Sequence, residues 1–120
     1  MPTLIHLNGP SGAGKSTLAQ RYVDEHPGVL NLDVDRVVSL IGGWQDDFGG
    51  TLAPARRIAT AMAKTHLATG DDVVMPQLVT SPHEAQSFEA AAAGVGAGYV
   101  EVALTVAPRP DARRPSTRSC

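Results

Sequence analysis

The sequence predicts an α/β fold: three layers, α/β/α, around a parallel sheet of about four strands. Three observations carry this reading. Short apolar runs alternate with helical patterns along the chain. The first run, Leu4-Ile5-His6-Leu7, is apolar without a period of two, as expected of a parallel strand covered on both faces. A glycine-rich segment then joins that run to a helix.

The elements follow in order. The first strand stops at Asn8-Gly9, and beyond the glycines Leu18, Ala19, Tyr22 and Val23 recur at helical spacing. His26-Pro27-Gly28 ends that helix. Val29 to Leu32 reads as strand two, ending at Asp33, and a helix spans about Asp35 to Ile41 before Gly42-Gly43. The longest helix is expected over Thr51 to Thr69, with Ala55, Ile58, Ala59 and Met62 as its apolar face and Pro54 in its first turn. Val73-Val74-Met75 is strand three. Ser81-Pro82-His83-Glu84 has the form of a capping box, opening a helix that runs to about Gly94. Tyr99 to Val106 is strand four. Right-handed crossovers between such strands give a doubly wound sheet.

The joining segment is Gly9-Pro10-Ser11-Gly12-Ala13-Gly14-Lys15-Ser16, of the form G-x-x-x-x-G-K-S, followed by Thr17. Between a strand and a helix, this spacing defines a P-loop. Gly9, Gly12 and Gly14 permit backbone angles and close approaches that a Cβ would block. The backbone N–H groups then form an anion nest at the positive end of the helix. Lys15 can reach the outer phosphates of a nucleotide, and the Ser16 hydroxyl can ligate Mg²⁺. The expected ligand is therefore a nucleotide phosphate with Mg²⁺, held by this loop.

Ligands of open α/β sheets bind at the carboxyl ends of the strands. That rule selects Asp33 and Asp35 after strand two, and Pro76 and Gln77 after strand three. It sets aside Asp71 and Asp72, which precede strand three. Strand three runs into Met75-Pro76-Gln77 without an acid, so the pair Asp33-x-Asp35 takes the place of the usual metal-supporting carboxylate. At i and i+2 on an extended end, both can face the phosphate site. One can support Mg²⁺ through water and the other can accept a hydroxyl proton. The alternative for either is a cap on the next helix. For a substrate, Trp44 in the glycine-flanked stretch 42–50 offers an aromatic wall or a residue packed on its own helix. Arg56 and Arg57 offer a grip on an anion or a solvated helix face. Gln77 gains from its place at a strand's carboxyl end. His6, His66 and His83 read as structural.

Composition excludes several classes. A formal charge of −2 over 120 residues gives no general attraction to nucleic acid or anionic membrane. Residues 1–108 carry 6 basic against 11 acidic side chains, whereas residues 109–120 carry 4 Arg against 1 Asp. The one cysteine, Cys120, allows neither an internal disulfide nor a zinc cluster. With no signal-peptide pattern and no apolar run of membrane length, the expectation is a cytoplasmic protein.

GPSGAGKST, the LDVDR segment at Leu32 to Arg36, and GDDVVMPQ at Gly70 to Gln77 together resemble the small P-loop kinase-like ATP-binding proteins. These are AAA-domain proteins related in pattern to shikimate, gluconate and chloramphenicol kinases and to zeta-type toxins. The resemblance covers about residues 3–107. Guanylate kinases and transporter ATPases share the loop, but neither an S-x-T-T-R-x-P-R-like segment nor an L-S-G-G-Q signature follows here. The resemblance implies a P-loop NTPase fold in which residues 9–17 bind ATP, Asp33 assists Mg²⁺ and Asp35 contacts or deprotonates a small-molecule acceptor. It implies a kinase that phosphorylates a hydroxyl. The alternative from another class is a nucleotide-binding or ATPase module that regulates a partner.

Kinases of this kind continue past strand four into an arginine-bearing lid and a fifth strand. Residues 1–107 therefore form the expected nucleotide-binding domain. Residues 108–120, rich in Pro, Ser and Arg, are expected to be a disordered basic tail, the lid and fifth strand being absent by truncation, frame shift or natural shortening. Arg113 and Arg114 are either lid arginines or part of that tail. A sheet without its fifth strand would leave an unpaired edge open to self-association.

Overall fold

The computed structural model describes residues 1–10 and 12–105. The chain forms β1 (Thr3–Asn8), α1 (Lys15–Glu25), β2 (Leu30–Asn31), α2 (Val34–Val38), α3 (Phe48–Ala68), β3 (Val73–Pro76), α4 (Pro82–Ala93) and β4 (Gly98–Ala103). All the strand pairs are parallel, in the order β2-β3-β1-β4. The expected four-strand parallel sheet is present, with β1 flanked by β3 and β4. The expectations for Ser11 and for the tail, including Arg113 and Arg114, lie outside the described residues.

Alternation across the pleat divides the interior into two cores. Leu4 of β1 and Val73 and Met75 of β3 join the cluster under α2, α3 and α4. Leu7 and Val74 turn to the other face, where they pack with Ala19 of α1 and half-buried Ile5, Tyr22 and Val23. Leu18, expected on the apolar face of α1, is exposed instead, because Ala19 is the residue that meets the sheet.

The longest helix buries Ala55 and Ala59 of the expected face but not its two large residues. Its buried residues are Thr51, Ala55, Ala59, Ala63 and Leu67, one stripe at i+4 intervals. Ile58 and Met62 are 44% and 38% exposed. Small side chains let α3 lie close to its neighbours, so hydrophobicity alone pointed to the wrong large residues. The helix also begins earlier than expected. Asp47 caps it by accepting from the Gly50 N–H at 2.9 Å, which places Pro54 inside the helix rather than in its first turn.

Strand two is shorter than the expected span of 29–32, although Leu32 N–H still donates to the Val74 carbonyl at 2.8 Å. The end of β4 continues with Leu104 N–H donating to the Asn8 carbonyl at 2.7 Å. This brings Leu104 against Gly9, where an added Cβ would lie 2.6 Å from the Leu104 carbonyl oxygen. Gly9 thus serves the sheet as well as the loop. Gly9→Ala should lower unfolding free energy by about 1–3 kcal/mol, read by urea titration. An unchanged midpoint would show that Leu104 yields freely.

Candidate nucleotide and acceptor site

The P-loop hands the chain from the central strand to a helix whose first turn is left open. Gly12 and Gly14 both adopt φ of 86°, the left-handed region that side chains disfavour. A Cβ at either would meet nothing within 4 Å, so conformation rather than crowding requires glycine there. Gly14 is the N-cap of α1, makes no side-chain cap, and no acidic residue occupies the first turn. Among the described residues no side chain caps this turn, and unpaired N–H groups at the positive end of a helix suit an anion. Ala13 N–H donates to the Pro10 carbonyl at 3.2 Å, closing the turn. Lys15 Nζ folds back to the same carbonyl at 3.0 Å.

A cavity of about 630 Å³ opens above the loop. Gly12, Gly14, Lys15, Ser16 and Thr17 line one side, and Asp33 and Asp35 stand with them. The remaining wall comes from Phe48 and Leu52 of α3, Arg56, and the Pro76-Gln77-Leu78 segment. The loop, the acid pair and Gln77, singled out in the sequence, share this one cavity.

The two acids differ in local structure. Asp33 is extended and caps α2, its Oδ1 accepting from the Asp35 N–H at 3.1 Å. Its Oδ2 lies 3.9 Å from Arg36 Nε, in an ion pair too open to contribute much. Capping and cavity-lining are therefore both true of Asp33. Asp35 is already helical, so the pair does not sit on one extended end as expected; the turn into α2 carries both to the cavity. Burial pushes the Asp35 carboxyl above its ordinary range, Asp33 adds to the rise, and Lys15 opposes it.

Gln77 is held from beneath. Its N–H donates to the Leu7 carbonyl at 3.1 Å. Its carbonyl accepts from Nε2 of His6 at 2.8 Å, and His6 is fully buried. With the proton on Nε2, Nδ1 accepts from the Tyr99 hydroxyl at 2.8 Å. Burial, Glu101 and Glu89 push that phenol up to about 12, so it keeps its proton. Two residues along β1, Asn8 holds Val79 at both backbone groups, each at 2.9 Å, and also donates to Glu101. His6 and Asn8 thus fix residues 77–79 at two points, and Leu78 between them lines the cavity. The sequence marked His6 only as structural; neither clamp has a local signal. His6→Leu leaves the Gln77 carbonyl unpaired and should cost about 1–3 kcal/mol, with His6→Gln recovering part through its amide N–H. Equal chemical denaturation midpoints for both variants would contradict the bond's importance.

Two residues considered for a substrate lie away from this cavity. Trp44 is half-buried against the α2–α3 core and does not line this cavity, because the turns at 41–46 direct it inward. Arg57 is turned one helical step away, toward a separate groove shared with His83 and Ser87. Arg56 takes its place at the cavity, ion-paired through Nη1 with Glu84 of α4. Glu84 was expected to close a capping box; Ser81 makes no side-chain cap bond, and Glu84 serves Arg56 instead.

This geometry is that of a P-loop domain. The chain belongs to the AAA-domain family, whose model matches residues 4–118. A candidate kinase from Chloroflexus aurantiacus superposes with a TM-score of 0.75 at 18% identity, over 86% of this chain and 59% of that one. The APS kinase of Mycobacterium tuberculosis gives 0.67 at 20% identity, over 97% and 81%. A gluconokinase from Sinorhizobium meliloti gives 0.58 at 19% identity, over 85% and 57%. At these identities the likeness is one of fold. No curated protein sequence matches the chain. Among the described residues, no helix is long and apolar enough to cross a membrane.

Proposed function

We propose that the protein binds ATP with Mg²⁺ and transfers the terminal phosphoryl group to a hydroxyl of a small molecule. The observation that carries this is the cavity that the P-loop, Asp33 and Asp35 share with Phe48, Leu52, Gln77 and Leu78. The kinases that share the fold add support.

The residues fit a bound Mg²⁺. No group of three or more acidic, His or Cys side chains suited to a metal occurs among the described residues. Magnesium in nucleotide sites takes few protein ligands and keeps water and phosphate oxygens, so Ser16 with Asp33 is a sufficient set. When bound, it would neutralise charge on the phosphates. The loop N–H groups and Lys15 hold the β and γ phosphates, and the helix dipole adds fixed positive potential. Asp35 receives the proton of the attacking hydroxyl, a task favoured by a carboxyl whose proton affinity is raised. Gln77 and Leu78 set the acceptor's position.

The testing experiment is ADP release from Mg-ATP with and without a pool of small alcohols. Stimulation by the pool supports phosphoryl transfer. A rate indifferent to every alcohol would return the protein to the nucleotide-responsive regulatory class.

A further inference from the structure

We propose that the acceptor is an alcohol with a neutral, apolar body, aromatic or alicyclic, rather than a sugar acid or other anion. This rests on the kinase reading above and names its substrate class. Phe48 is 47% exposed and Leu78 is 46% exposed, and both line the cavity. They come from different elements, the first turn of α3 and the segment after β3, with Leu52 one helical turn beyond Phe48. Large apolar side chains at a concave site favour an apolar ligand surface. Leu78 is not a loose loop residue, since the flanking Gln77 and Val79 are tied to β1 by His6 and Asn8.

Charge points the same way. The cations among the described lining residues are Lys15 and Arg56. Lys15 stands in the phosphate loop, and Arg56 is paired with Glu84. Asp33 and Asp35 add two carboxylates at the site of transfer. An acceptor carboxylate would meet like charge, and among the described residues Arg56 could serve it only by leaving Glu84. A neutral alcohol escapes both penalties. In the reaction its oxygen forms a bond to the γ phosphorus, the bond from that phosphorus to the bridging oxygen breaks, ADP leaves, and the hydroxyl proton passes to Asp35.

The test uses the full chain with Mg²⁺ and a non-hydrolysable ATP analogue. Benzyl alcohol and cyclohexylmethanol are compared with gluconate by saturation-transfer NMR, and nucleotide binding is measured calorimetrically on the same samples. The expected result is binding of both alcohols at least tenfold tighter than gluconate, with a roughly tenfold loss in Phe48→Ala and in Leu78→Ala. Both positions are half exposed, so the variants should fold; retained nucleotide binding checks this. Glu84→Gln, which frees Arg56, should raise gluconate binding several-fold. Preference for gluconate, no binding of either alcohol, binding undiminished in the two alanine variants, or no gain in Glu84→Gln would overturn the inference. If the alcohols fail while nucleotide binds, the substrate class alone falls. If nucleotide fails to bind, the kinase reading falls and this inference falls with it.

Discussion

Asp35→Asn should reduce phosphoryl transfer by about 10²–10⁴-fold while leaving ATP affinity nearly unchanged. The side chain lines the cavity beside Lys15 and Asp33, and asparagine preserves its size while removing its ability to take a proton. The pH profile follows from the direction of its shift. Asp35 becomes a base only above its raised pKa, so transfer should climb with pH through a region above the ordinary carboxylate value of 3.8. Stability runs in the opposite sense. The native state holds this proton more tightly than the unfolded chain. The stabilisation is thus complete below 3.8 and is lost as pH rises through the raised value. Asp35→Asn should remove that slope and leave the protein slightly more stable at neutral pH. Undiminished transfer in the variant would assign Asp35 to the first turn of α2 and nothing more.

Lys15→Ala should weaken ATP binding by about 10²-fold, from the loss of charge-assisted bonds of about 1.5–3 kcal/mol to the outer phosphates. The fold should survive. The hydrogen bond Lys15 makes among the described residues is the exposed one to the Pro10 carbonyl. Equilibrium dialysis with labelled ATP measures the loss, and thermal unfolding without ligand provides the control. Equal affinity in wild type and variant would place the nucleotide elsewhere. A coincident loss of fold would make Lys15 a structural residue.

The glycine-loop half of the candidate site was legible in the sequence because its physics is local. A strand, three glycines at fixed spacing, a lysine and a helix start are all read from residues 4–23. Gly12 and Gly14 adopt the left-handed backbone angle that such a loop needs. The acceptor half was not legible to the same degree. Telling Arg56 from Arg57 turns on one residue's rotation about α3, and the packed stripe of that helix is mostly alanine. The larger Ile58 and Met62 drew the apolar face the wrong way. Glu84 had a local motif to obey, yet it pairs with an arginine on another helix. His6 and Asn8 reach partners 71 residues away, and those bonds exist only once β1 and β3 are paired. Asp33 shows why opposed local readings need not exclude each other: one carboxylate oxygen caps α2 while the residue faces the phosphate cavity.

The central claim is that the open first turn of α1 and its glycine loop recognise the phosphates of a nucleotide. Calorimetric titration of Mg-ATP into the protein, repeated after saturation with inorganic triphosphate, tests it most directly. A nest of backbone N–H groups contacts phosphate oxygens and not the base. One binding site, with its heat abolished by triphosphate, is the predicted result. No binding of Mg-ATP, or binding that triphosphate leaves intact, would contradict it.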